Sequence, residues 1–201
     1  RGARTLVRRE VINLAEEKLV PELRFPEFSG EWEEKRLGEV VSFKKGKGIP
    51  KSSLTKHGTK CILYGQLYTT YNEIIGSVSS FTDINESKLL FGNVGDVLIP
   101  SSGETALDMS LASALFVEDV ALGGDINILR PKKSIIDSKF LSYQINSTRK
   151  IDLAKIAEGA SVVHLYNSNL NGVKIFKPKD IKEQEKIGNF FYTLDKKLEL
   201  Q

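Results

Sequence analysis

The chain is poor in the residues from which reactive centres are built. It holds one cysteine, Cys61, so no disulfide framework can form within it, which suits a reducing, cytoplasmic setting. Its two histidines, His57 and His164, lie far from each other and from Cys61, so no metal-ligand spacing is present and no metal is expected. Each reads as a surface or core histidine rather than a catalyst. No apolar run approaches the roughly 18 residues that span a bilayer, so no membrane is expected as a partner. The basic start is followed by no apolar core, so it is not a secretory signal. There is no P-loop and no Gly-x-Ser-x-Gly elbow; Gly46-Lys47-Gly48 is an isolated glycine pair. The Asn/Asp-Pro-Pro-aromatic run expected of an adenine-N6 methyltransferase is also missing. Asp180, Glu183 and Glu185 cluster, but the start of a helix accounts for them through capping and the macrodipole. These absences exclude no enzyme outright, yet they point to a binding protein without a catalytic residue or cofactor of its own.

What is present is an ordinary globular composition. The 201 residues are 40% hydrophobic and 27% charged, enough for one domain with a core. The net charge of +3 says little, but its distribution says more. Between Glu39 and Glu73 there is no acid, while Lys44, Lys45, Lys47, Lys51, Lys56 and Lys60 fall in that window. From Gly76 to Arg130 the balance reverses, with Asp83, Glu86, Asp96, Glu104, Asp108, Glu118, Asp119 and Asp125 against Lys88 and Arg130. Such polarity marks one face for a polyanion; the alternative is a solvated lysine-rich loop.

Residues 5–19 read as a helix, with Val7, Val11 and Leu14 at helical spacing and Pro21 beyond its end. From Phe25 onward short apolar runs alternate with Gly, Ser, Asn and Pro. Strands are expected over 40–43, 60–64, 94–100, 112–117, 126–129 and 173–176. Their irregular spacing excludes a doubly wound nucleotide fold and predicts an α+β domain, mixed and mainly antiparallel. Asp137 caps a helix that presents Phe140, Leu141 and Ile145, and a second helical piece stops at Gly159. At the C-terminus Asp180 and Glu183 form a capping-box pattern. Ile187, Phe191, Leu194 and Leu198 then recur at heptad-like spacing, a seam for the core or for a partner helix.

A reader of DNA needs cations for phosphates and short polar side chains for base edges. Lys44, Lys45, Lys47, Lys51 and Ser52 sit in a glycine-containing loop that lets backbone N–H groups approach an anion. Tyr64, Gln66, Tyr68 and Thr69 follow; glutamine pairs bidentately with adenine, although a hairpin with a polar rim explains the run equally well. Ser101, Ser102, Glu104 and Thr105 form a third polar loop, where Glu104 can accept from cytosine. Ser161 and His164 form a fourth. Aromatics are sparse and not interleaved with the lysines, which argues against a stacking platform for single strands.

These segments carry a family likeness. Pro21-Glu22-Leu23-Arg24-Phe25-Pro26-Glu27-Phe28, then Trp32-Glu33-Glu34-Lys35-Arg36-Leu37-Gly38-Glu39-Val40, resembles the opening of type I restriction–modification specificity subunits. So do Lys45-Gly46-Lys47-Gly48-Ile49, Gly95-Asp96-Val97-Leu98-Ile99, Lys139-Phe140-Leu141 and the closing run from Pro178 to Ile187. The resemblance implies a target-recognition domain at 21–178 and the start of a spacer or dimerisation helix at 179–201; the helical extension at 1–20 lies outside the family's pattern. It also implies that the chain reads one half of a split duplex-DNA site and docks methyltransferase subunits, which motor–nuclease subunits then join. S-adenosylmethionine and ATP belong to those partners. Such subunits usually carry two recognition domains, so this chain is expected to be a half-subunit or a fragment. Two copies paired through the helix would read a symmetric, interrupted site. A protein–protein adaptor with incidental DNA contact is the competing reading.

Overall fold

Val97-Leu98-Ile99-Pro100 is buried on both of its faces, and the architecture follows from that run. Successive strand residues point to opposite sides of a sheet. Val97 and Ile99 enter one apolar cluster with helices, whereas Leu98 enters another that faces a second sheet. A strand covered on both sides reads as a continuous hydrophobic run rather than an alternating one. The computed structural model describes residues 14–15, 18–159 and 163–200.

The central sheet has five strands in the order β4 (Val41–Lys45), β13 (Ile126–Pro131), β9 (Val97–Pro100), β11 (Ser113–Leu115) and β7 (Ile74–Ile75). All neighbours are antiparallel except β11 and β7, which run parallel. A second sheet stacks β12 (Val120–Leu122), β6 (Thr59–Ile62), β8 (Phe81–Thr82) and β5 (Leu54–Thr55), with β12 and β6 parallel. Ile62, Leu122, Leu98, Ile126 and Ile128 fill the space between the two sheets. Three two-stranded pairings complete the fold: β3 (Glu33–Arg36) with β15 (Lys174–Lys177), β10 (Ser102–Gly103) with β14 (Val163–His164), and β1 (Leu14–Ala15) with β2 (Lys18–Pro21). The fold is thus mixed α+β and mainly antiparallel, as the sequence predicts. Most of the helix expected over 5–19 lies outside the described residues; where the backbone is described, at β1 and β2, it is extended.

Three one-turn helices serve as connectors: α1 (Leu37–Val40), α2 (Gln66–Thr69) and α5 (Asn167–Asn171). The longer ones cover the outer face of the central sheet. Helix α3 (Ser138–Gln144) starts where Asp137 accepts from the Phe140 amide at 2.8 Å, the predicted cap. A turn of π-helix, Ile145–Arg149, joins it to α4 (Lys150–Lys155), which ends at Ile156 rather than at the expected Gly159, because Glu158 pairs with His164. The last helix, α6 (Ile181–Glu199), lies on α3 at very close range. Gly188 permits this, because a Cβ there would stand 2.8 Å from the Lys139 Cβ and 2.9 Å from the Phe140 nitrogen. Gln184 completes the joint, accepting from the Asp137 amide at 3.0 Å and donating to the Pro178 carbonyl at 2.9 Å.

Two details of α6 correct the sequence reading. Asp180 caps it, accepting from Lys182 N at 2.9 Å, but Glu183 does not turn back to close a capping box. Its carboxylate is 1% exposed overall and receives Arg24 Nε at 2.8 Å, Arg24 Nη2 at 2.7 Å and Trp32 Nε1 at 3.2 Å. A buried carboxylate needs this full set of donors, which no single backbone amide supplies. The heptad-like seam also divides. Ile187 and Phe191 are spent on the chain's own core, so they are not available to a partner helix. Leu194 is half-buried, and Leu198 is 37% exposed.

Candidate nucleic-acid interface

The strand ends decide where the polar loops meet. In the central sheet Lys45 pairs with Asn127 and Pro100 pairs with Ile126, so β4 and β9 end at the edge where β13 begins. In the second sheet β6 and β12 run parallel, so the loops after Ile62 and Leu122 also leave from one end. Parallel pairing is what brings two sequence-distant turns together there. The Ile62 carbonyl accepts from Gly123 N at 2.9 Å, and the Leu122 carbonyl accepts from Lys47 N at 3.0 Å, which ties the two ends to each other. Gly46 makes that seating possible: a Cβ on it would fall 1.9 Å from the Gly123 carbonyl oxygen. Gly48, in contrast, has open space around it.

The loops enclose a cleft of about 710 Å³. Pro50, Lys51, Tyr64, Tyr68 and Glu104 line it, together with Gly124 and Asp125 from the β12–β13 turn. Ile49, Leu54 and Leu63 give it an apolar side. Of the residues singled out from sequence, Lys51, Tyr64, Gln66, Tyr68, Thr69 and Glu104 are therefore gathered in one place. Lys44, Lys47 and Ser52 are exposed on the strand end and loop that lead to it. Burial chiefly, then Tyr64, Asp108 and Glu104, push the Tyr68 phenol above its usual range, which sets Glu104 within electrostatic reach of that ring.

Other predicted contacts are already engaged inside the chain. Gln66 is not on a hairpin rim but at the start of α2. Its Oε1 accepts from Leu63 N at 2.8 Å and its Nε2 donates to Ser80 Oγ at 2.6 Å. Both halves of the amide thereby secure the turn, with one N–H and one oxygen lone pair left over. Ser101 is 1% exposed; its amide donates to the Asp125 carbonyl, its carbonyl accepts from Leu165 N, and its hydroxyl receives Lys45 Nζ. Thr105 donates to Asp108 Oδ2 at 2.7 Å, and Thr69 donates to the Gly65 carbonyl at 2.9 Å. Ser102 and His164 meet through the β10–β14 pairing, Ser102 Oγ lying 3.2 Å from His164 Nδ1. His164 in turn stacks on the exposed Tyr166, ring centroids 5.9 Å apart. Ser161 lies outside the described residues. These contacts hold the loops in shape.

Sequence reasoning missed Asp125, Asn127 and Tyr166. Asp125 adopts φ 58° in a turn that the Gly123-Gly124 pair announces, but nothing in the order of residues says that the lysine loop rests on it. Asn127 is buried and donates to the Leu165 carbonyl at 2.7 Å, while its Oδ1 has no partner among the described residues. Among those residues, no group of three or more His, Cys, Asp or Glu side chains could hold a metal, and no helix is long and apolar enough to cross a membrane.

The fold is shared with known proteins. The S subunit of a type I restriction-modification system from M. genitalium superposes with a TM-score of 0.66 at 18% identity, over 90% of this chain and 43% of that one. The HsdS subunit from Thermoanaerobacter tengcongensis gives a TM-score of 0.60 at 18% identity, over 98% and 44%. A chain from a structural study of complex assembly and conformational transition in the type I R-M system gives 0.67 at 18% identity, over 99% and 46%. At that identity the likeness is one of fold, and the chain spans less than half the length of each of these structures. No curated protein matches it. The model of the type I restriction modification DNA specificity domain matches residues 29–201, which is most of the sequence. The chain therefore belongs to the type I restriction modification DNA specificity domain family, whose members supply DNA sequence recognition rather than catalysis.

Proposed function

We propose that this chain reads one half of a bipartite duplex-DNA site with the loop end of its two-sheet stack, as the non-catalytic specificity component of a type I restriction–modification complex. The observation that carries this is convergence. Loops from β4, β6, β9 and β12 meet around one cleft with exposed lysines at its approach. Lys44, Lys45, Lys47, Lys51 and Ser52 hold phosphates, Lys45 with the ammonium donors that Ser101 leaves over, while Tyr64, Tyr68 and Glu104 face base edges. Gln66, Ser101, Thr69 and Thr105 keep those loops in register, and the pairing of Ser102 with His164 anchors the strand that leads to Glu104. The recognition unit extends over about 21–178, and 179–201 begins the helix that spaces it from a second unit. Phe190, Leu194 and Leu198 give that helix an outward apolar face, at which a methyltransferase subunit or a second copy docks. Motor–nuclease subunits join the assembled complex. S-adenosylmethionine and ATP are bound by those partners.

A second reading, a protein adaptor, has one observation in its favour. A groove of about 230 Å³ between Pro21, Leu23, Phe25, Ile187 and Phe190 is apolar and shares no lining residue with the cleft. Selection of bound fragments from a pool of random duplexes separates the two. Recognition predicts that a short motif is enriched at two salt concentrations. Binding with no motif, or no binding, favours the adaptor.

Lys45 adds a pH signature. Burial lowers the pKa of its ammonium group, against the pull of the Asp125 carboxylate. A lowered lysine loses its charge at a lower pH than an exposed one, and phosphate binding favours the charged form. Duplex affinity is therefore expected to fall as pH rises through the lowered pKa of Lys45, before the other lysines discharge. A titration series across alkaline pH should lose that early fall in Lys45→Arg, because arginine stays charged.

A further inference from the structure

We propose that Glu104 selects cytosine, its carboxylate accepting a hydrogen bond from the exocyclic N4 amino group in the major groove. This inference rests on the reading of the cleft as a DNA interface.

Of the carboxylates at this end of the molecule, Asp108 is already answered. Asp108 receives the Thr105 amide at 3.2 Å and the Thr105 hydroxyl at 2.7 Å. Asp125 is exposed and lines the cleft as well, without an ion pair among the described residues, but it lies within the field of the Lys45 ammonium. Glu104 is exposed, lines the cleft and has no hydrogen bond or ion pair among the described residues. An unanswered negative charge inside a site for a polyanion opposes binding unless the ligand brings a donor to it. Phosphates bring none. In the major groove, guanine offers N7 and O6 and thymine offers O4, all acceptors that repel a carboxylate. Adenine has an amino group, but its N7 acceptor lies beside it. Cytosine presents N4–H₂ without a neighbouring acceptor of its own, so it is the base that answers Glu104 best.

The backbone around Glu104 is fixed on both sides, as discrimination requires. Gly103, just before it, is in the β10–β14 pairing, and a Cβ there would lie 2.8 Å from Met109 Cγ. Thr105, just after it, is bound into the Asp108–Ser110 turn. The fixed backbone limits the positions that the exposed carboxylate reaches, and a matching donor on the base then orders the side chain.

The test compares duplexes selected from a random pool by the wild-type chain, Glu104→Ala and Glu104→Gln at one salt concentration. The wild-type motif is expected to contain a position where cytosine is preferred about ten-fold. Glu104→Ala should flatten that position and leave the others intact. Glu104→Gln should admit adenine there, since an amide pairs with N6 and N7 together. The inference is overturned if Glu104→Ala keeps the full wild-type motif, if it weakens all positions equally, or if the flattened position prefers a base other than cytosine. Failure of the wild-type chain to enrich any motif would instead remove the DNA-reading proposal itself, and this inference with it.

Discussion

Replacing Lys44, Lys47 and Lys51 together by alanine is expected to weaken duplex binding a few hundred-fold at about 0.1 M salt. Each lysine that neutralises a phosphate contributes about 0.9 to the slope of log affinity against log salt. At that salt concentration each contact is worth roughly eight-fold, so three contacts multiply to several hundred. The slope itself should become shallower by about 2.7. All three side chains are exposed, so their loss costs the fold little. The loop that carries Lys47 and Lys51 keeps its place through the Lys47 amide and the Gly46–Gly123 contact, neither of which involves a lysine side chain. Equilibrium titrations at four salt concentrations, with the variant beside the wild-type chain, measure both quantities. An unchanged slope would mean that the phosphates lie elsewhere.

The second large effect is on stability. Arg24→Ala is expected to cost about 3–5 kcal/mol, read as a shift in the urea midpoint. The arginine donates twice to Glu183, through Nε at 2.8 Å and Nη2 at 2.7 Å, and also binds the Ser29 carbonyl at 3.0 Å. Its removal leaves Glu183, 1% exposed, with the single Trp32 donor at 3.2 Å. The penalty comes from the stranded charge more than from the lost pair. Adding Glu183→Gln to Arg24→Ala should therefore recover part of the stability, although it removes a second native side chain. Further loss in the double variant would contradict this account. The same contact anchors residues 24–30 to α6, so the apolar groove at Pro21, Leu23 and Phe25 should loosen with it.

Much of the framework was legible in the sequence because it rests on local signals. Six strands fall close to their apolar runs, and Asp137 and Asp180 cap the helices they precede. What escaped depends on partners distant in sequence. The β10–β14 pairing joins residues some sixty apart, Ser102 to His164, across two-residue strands that have no periodicity of their own. Glu183 sits at a position where a capping box is the local solution. A stronger distant partner, Arg24, 159 residues away, wins the carboxylate. Gln66 shows the same competition in reverse. Its residue type suits adenine, but a nearby amide and Ser80 take both ends of its side chain. The loops of the site were thus identifiable from composition, whereas the division between residues that shape them and residues left to meet a ligand required their three-dimensional packing.

The most direct test of the central claim is amide hydrogen exchange on the full chain with and without a duplex that it enriches from a random pool. Protection is expected in residues 46–53, 63–70 and 101–108, the loops around the cleft, with α6 unchanged. Protection confined to α6 and residues 21–28, with the cleft loops exchanging as they do in the free chain, would contradict it.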